Sequence, residues 1–222
     1  MSRIPLAALT LAALIIPAHA APASRHIAVE NGEALEFIRT VPKPVTYKNE
    51  KALQLVAAAG TDALALLEDL DFKDGTIELD LAGLPGEAAS STARGFVGVA
   101  FRSTPHATAF DCFYLRPTNG RADDQLRRNH ATQYVSEPEY PWERLRTQSP
   151  GVYESYVDLE TGAWTHVRIE VSGVRARLFV NRAAQPALIV NDLKRGVTRG
   201  AIGLWIGPGT EAYFRRLELT LN

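Results

Sequence analysis

From Leu35 onward, short runs in which alternate residues are apolar are separated by Gly, Pro, Asn or Asp, the pattern of half-buried strands between turns. The runs ALQLVAA (52–58), ALALLE (63–68), GTIELDL (75–81), FVGVAFR (96–102), CFYLR (112–116), VYESYV (152–157), THVRIEV (165–171), VRARLFV (174–180), AIGLWI (201–206) and FRRLELTL (214–221) each predict a strand. ALALLE carries helix formers, but its shortness and its neighbours favour a strand. Ser172-Gly173 predicts a tight hairpin. No repeat of solenoid length and no domain-sized linker interrupts the series. These features predict one all-β domain over residues 33–222, built as a β-sandwich of two packed antiparallel sheets.

Alternation also assigns faces. In FVGVAFR, Val97, Val99 and Phe101 point to the core, leaving Gly98, Ala100 and Arg102 on the outer side. In the next run Phe113 and Leu115 are inward, while Cys112, Tyr114 and Arg116 lie outward. Paired as a hairpin, these runs place Tyr114 and Arg116 beside a floor of Gly98 and Ala100. AIGLWI repeats the device, with Ala201, Gly203 and Trp205 opposite the core side chains Ile202, Leu204 and Ile206. An exposed indole above glycine points to a groove that receives a ligand.

Residues 118–150 break the pattern. They form a long insertion rich in Arg, Asp, Asn, Tyr and Trp, and loops of that length are usually functional. Leu126, Tyr134, Tyr140, Trp142 and Leu145 give it material to pack. Arg121, Arg127, Arg128, Asn119, Asn129, Gln125 and His130 supply directional hydrogen-bonding groups. Asp123 and Asp124 have two readings, as partners that hold the loop shut or as part of a site.

Charge changes the picture mainly by exclusion. Lys+Arg 24 against Asp+Glu 25 gives a net charge of −1, and no basic stripe is present for nucleic acid. The start differs from the rest: Arg3, the apolar run LAALTLAALII and Ala18-His19-Ala20 have the order of a secretory signal peptide over residues 1–20, cleaved near Ala20. That run is too short to span a bilayer, and no later run is longer. Residues 21–32 read as a flexible N-terminal segment, and the mature chain as periplasmic or secreted. The only cysteine, Cys112, excludes an internal disulfide and reads as a buried small hydrophobe.

FKDGTIELDLAG, GFVGVAFR, WTHVRIEVSGVRARLFVN and GAIGLWIGPGTEAYFRRLEL together resemble, in order, the strands of the concanavalin A-like lectin/glucanase superfamily. The closest flavour is that of its laminin-G-like and 3-keto-disaccharide-hydrolase-like bacterial members. The resemblance covers most of residues 62–221 and implies a jelly-roll of two curved antiparallel sheets. It also implies a concave face and rim loops that commonly bind glycans, without fixing an activity. The superfamily's glucanases carry Glu-x-Asp-x-x-Glu on one strand. Here Glu78 and Asp80 match the first two acids, and Gly83 stands at the third.

Two functions follow as alternatives. One is an exported carbohydrate-binding protein whose ligand contacts are Arg102, Tyr114, Arg116, Arg127, Arg128, His130 and Trp205. The other is a glycoside hydrolase acting on a glycoside or a modified (3-keto) sugar, with acids drawn from Glu78, Asp80, Asp123 or Asp124. Adhesion to a protein through the same face is a third. His26, His106, His130 and His166 lack paired metal spacing, and no metal site or cofactor is assigned. Asp69, Asp71 and Asp74 are a start toward a structural Ca²⁺ site, which needs six to eight oxygens.

Overall fold

A computed structural model describes residues 24–67, 69–87 and 89–222. The signal-peptide reading falls on residues 1–20, outside the described residues. The strands are β1 (Ser24–Ile27), β2 (Leu35–Ile38), β3 (Lys43–Tyr47), β4 (Glu50–Val56), β5 (Ala63–Leu67), β6 (Gly75–Pro85), β7 (Val97–Ser103), β8 (Phe110–Leu115), β9 (Thr132–Glu137), β10 (Glu154–Ser155), β11 (Thr165–Ser172), β12 (Arg175–Val180), β13 (Leu188–Val190), β14 (Ala201–Ile206) and β15 (Thr210–Leu221). Among the described residues three short α-helices, α1 (Pro117–Gly120), α2 (Gln125–Asn129) and α3 (Trp142–Gln148), all fall between β8 and β10.

Every strand pair is antiparallel. One sheet runs β13-β12-β11-β6-β15-β4-β3, with β1 also paired to β15; the other runs β10-β9-β8-β7-β14-β5-β2. Leu53, Ile77, Leu79, Ile169 and Phe214 from the first sheet meet Val97, Val99, Phe113, Leu204 and Ile206 from the second in one buried core. Each fully buried Leu or Ile contributes about 1.5–3 kcal/mol. This burial holds the sandwich together without a disulfide, Cys112 being a free, buried thiol.

The predicted hairpins form. β11 and β12 pair from Val167↔Val180 to Ser172↔Arg175, and Gly173 supplies the left-handed turn at φ +58°. β7 and β8 pair with Gly98 opposite Tyr114, as alternation requires.

Four expectations are corrected. The insertion is not a loop: its residues 132–137 form β9, a full partner of β8. Tyr134 is the one large inward side chain of TQYVSE, so the polar residues around it mask a strand. The N-terminal segment is not loose from Ser24 on, because Ser24–Ile27 pairs with the C-terminal end of β15 and Val29 is fully buried. The run 152–157 keeps only Glu154–Ser155 as strand. Arg102 is not on the outer face: the β7–β14 register shifts beside it, and its φ of +52° turns the side chain away.

Candidate functional site

The outer face of the seven-stranded sheet is a set of cross-strand rows. Following the register from β10 to β2, one row reads Glu154, Gln133, Tyr114, Gly98, Trp205, Leu64, Ile38. The next reads Val135, Cys112, Ala100, Gly203, Leu66, Glu36. Leu64, Leu66, Ala100, Cys112, Val135, Tyr114 and Trp205 make a second, smaller apolar cluster there. Alternation therefore put Trp205 on the correct side, yet its side chain is only 8% exposed. Its indole N–H donates to Asp62 Oδ2 at 3.1 Å, and its ring lies 4.8 Å from that of Tyr114. Gly98 separates the two strands that carry these rings. A Cβ there would sit 2.2 Å from the Phe113 carbonyl oxygen, so only glycine allows so close an approach.

Over the first row opens a cavity of about 840 Å³. Tyr114, Trp205 and Val135 lie beneath it. Arg116, Asn119, Arg127 and His130 come from the α1–α2 segment; Trp142, Glu143 and Arg146 come from α3. Arg94 and Phe96 precede β7, and Asp62 and Glu137 complete the lining with others. Of the residues expected to bind a ligand, Tyr114, Arg116, Arg127, His130 and Trp205 meet here.

The polar groups are held in place by one another. Arg116 is 5% exposed and donates to Tyr114 Oη (2.8 Å), Gln133 Oε1 (3.1 Å) and the His130 carbonyl (3.1 Å). Glu154, at the end of the row, accepts a fork from Arg146 (3.1 and 2.7 Å) and lies 3.2 Å from His130 Nε2. Trp142 is the exposed aromatic of the site, at 38% exposure, with the Arg146 guanidinium 4.6 Å and that of Arg116 6.0 Å from its ring centre. Burial pushes the Tyr114 hydroxyl up to about 12 and keeps it protonated. Burial likewise holds Arg116 below the usual arginine range, and His130 below the usual histidine range against the opposing pull of Glu154. The Glu137 carboxyl is raised, first by burial and then by the nearby Asp62 and Glu143 carboxylates.

Other expected site residues are elsewhere. The Arg102 side chain is fully buried, donating to the carbonyls of Lys73, Gly196 and Gly173 and to Asp74, and it cannot reach a ligand on the outer face. Arg128 stacks on Tyr156, 4.9 Å from its ring centre, and donates to its hydroxyl; it does not line the cavity. Asp124 caps α2 by accepting from the Arg127 N–H at 2.9 Å, and neither it nor Asp123 lines the cavity. Arg121 meets Asp158 and Glu160, and among the described residues neither Asp123 nor Asp124 forms an ion pair with an arginine.

Glu78 and Asp80 lie on the other sheet. Asp80 meets His166 Nδ1 at 3.0 Å and Arg215 Nε at 3.1 Å, while Glu78 lies 3.3 Å from His166 Nε2. They form a cross-strand charge layer, with Glu78 and His166 bordering a smaller hollow of about 410 Å³. Asp71 pairs with Arg199 and Asp74 with Arg102, so the three aspartates do not converge on a calcium. Among the described residues no group of three or more His, Cys, Asp or Glu is placed to hold a metal. No helix among them is long and apolar enough to cross a membrane.

Trp142, Arg146, Glu137, Glu143 and Arg94 line the cavity but were not read as ligand contacts from the sequence. Trp142 had been noticed only as packing material. The adjacent Trp142-Glu143 and the Arg146 one helical turn on were the available signal.

No protein-family model matches the chain, and no curated protein matches it. Solved structures do. A carbohydrate-binding module from Bacillus subtilis aligns with a TM-score of 0.54 at 13% identity, over 82% of this chain and 96% of that one. A Bacillus subtilis protein of unknown function with a galectin-like fold aligns with a TM-score of 0.57 at 12% identity, over 87% and 92%. A candidate glycosyl hydrolase from Parabacteroides distasonis aligns with a TM-score of 0.57 at 13% identity, over 90% and 100%. The architecture of this chain is thus a galectin-like jelly-roll sandwich.

Proposed function

We propose that the chain is an exported carbohydrate-binding protein whose glycan site is the cavity over Tyr114 and Trp205. The observation that carries this reading is the lining itself. An exposed indole at Trp142 stands beside guanidinium, amide, imidazole and carboxylate groups that other side chains hold in position. A pyranose needs that combination: an aromatic face against its apolar side, and directional donors and acceptors for its hydroxyls. The shared fold with a carbohydrate-binding module agrees with it at the level of architecture. Export rests on the signal-like first 20 residues.

The test is glycan binding by the mature chain and by Trp142→Ala, against a panel of neutral and acidic oligosaccharides. Trp142 is exposed, so its truncation should leave the melting temperature within about 2 °C while weakening binding about tenfold or more. Binding by wild type that Trp142→Ala leaves untouched would remove the site from this cavity. Absence of binding across the whole panel would remove the function.

One observation favours a second reading, glycoside hydrolysis. Glu137 shares the cavity with Asp62 and Glu143, and its carboxyl, raised first by burial and then by those two carboxylates, suits a general acid. Reducing-sugar release from the same panel tests it, with Glu137→Gln expected to abolish turnover. Bound but unconverted sugars leave the binding reading alone.

A further inference from the structure

Three guanidinium groups share the cavity with no carboxylate at ion-pair distance from any of them among the described residues. Arg94, Arg116 and Arg127 all line it, and among the described residues none of the three forms an ion pair. Arg39, Arg121, Arg146 and Arg215, by contrast, each meet an acid. The partners of the cavity trio are neutral. Arg94 donates to the carbonyls of Ser91 and Ala93, both at 2.8 Å. Arg116 donates to a phenol, an amide and a carbonyl. Arg127 has only a 3.5 Å contact with Asn119 Oδ1.

These charges also feel one another. Arg94 is held below the usual arginine range by burial first, then by Arg127 and Arg116. Among the carboxylates of the cavity, Glu137 is influenced by Asp62 and Glu143. Glu143 and Glu154 are near enough to Arg116 to favour its charge, although neither is within ion-pair distance. Arg94 and Arg127 are therefore the least compensated cations of the site. Placing like charges together at a concave surface is unfavourable in the empty protein, and an anion that binds there relieves the repulsion.

We propose that the site selects acidic glycans, with a carboxylate or sulfate on the sugar docking against Arg94, Arg116 and Arg127. The planar forks of arginine match either group with paired N–H···O bonds. The neutral hydroxyls of the same sugar then face the acceptors Glu137 and Glu143, so the cavity fixes the orientation of the ring as well as its charge. This proposal rests on the reading of the cavity as a glycan site.

Isothermal titration of the mature chain with matched pairs separates the two. One pair is tetragalacturonate and its methyl ester; the other is a sulfated galactan tetrasaccharide from carrageenan and its desulfated form. The expected result is that the acidic member of at least one pair binds about tenfold or more tighter than its neutral twin, with the gap shrinking as salt rises. Which pair shows the gap tells carboxylate from sulfate. Arg127→Gln and Arg94→Gln should each reduce the acidic-to-neutral ratio about threefold or more. Equal affinity for both twins, with Trp142→Ala weakening both, overturns the charge proposal and leaves the glycan site standing. A gap that survives both arginine substitutions also overturns it. No binding to any of the four overturns it too, and the neutral members of the wider panel then decide the glycan reading independently.

Discussion

Trp205→Ala tests whether the floor of the cavity is also structural. The indole is 8% exposed, packs 4.8 Å from the Tyr114 ring and donates to Asp62. Removing a buried Trp typically costs about 3–5 kcal/mol, of which part reflects the void left behind. Here the vacated space adjoins an open cavity, so water enters it and the void term shrinks. The lower end, about 3 kcal/mol, is the better expectation. For a chain of this length each kcal/mol moves the melting temperature by about 2–4 °C, giving a drop of about 6–12 °C. Trp205→Phe keeps a ring beside Tyr114 and loses mainly the bond to Asp62, for a smaller cost of about 1 kcal/mol. Thermal unfolding of the mature chain followed by circular dichroism measures both. A Trp205→Ala melt within about 2 °C of wild type would refute the reasoning, because it would mean the second apolar cluster contributes nothing to stability.

Arg102→Met removes a fully buried guanidinium that three partly buried carbonyls and Asp74 accept from, and should cost about 3 kcal/mol in urea unfolding without altering any ligand binding at the cavity; a loss under about 1 kcal/mol would contradict this role. Glu137→Gln should raise the melting temperature at pH 7. Its carboxyl is shifted upward in the folded chain, so its favourable contribution is complete below the ordinary carboxylate pKa and is lost as pH rises through the folded value. The gain should vanish in acid below about pH 4, and a gain independent of pH would point to some other cause. Cys112 is fully buried, and burial pushes its thiol well above the usual range, so Ellman's reagent should label it only on unfolding; prompt labelling of the native chain would argue against that burial.

Period-two reading recovered the elements whose two faces differ. AIGLWI is β14 at both ends, and the β7–β8 and β11–β12 hairpins carry the predicted faces. It failed at TQYVSE, where Tyr134 faces the core between Thr132 and Ser136, and a polar stretch hid β9. It failed at Arg102 because a bulge adds a residue and reverses the parity. Trp205 shows a third limit: alternation tells which side a residue takes, but not what else lies there. Leu64 and Leu66 stand on the same outer face and turn an expected open groove into a floor that is partly core. Tyr114, Arg116, Arg127 and His130 were legible because they flank a strand end and open an insertion. Arg94, Glu137 and Glu143 come from separate segments, and only the folded chain brings them together.

Glu154 has a consequence for how the lining of this cavity can change over time. One nearly buried carboxylate grips Arg146 of α3 by a fork and His130 just past α2, so both walls are moored to the sheet at a single post. Most of those walls come from one stretch of chain, 116–146, whereas Trp205, Gly98 and Leu64 belong to strands distant in sequence. Changing the cavity-facing residues of the helices while keeping Leu145, which α3 contributes to the main core, together with the post and the floor would exchange one lining for another with the sandwich unaltered. The molecule is thus arranged like a frame with a removable jaw, and diversification has a route that need not pass through loss of folding.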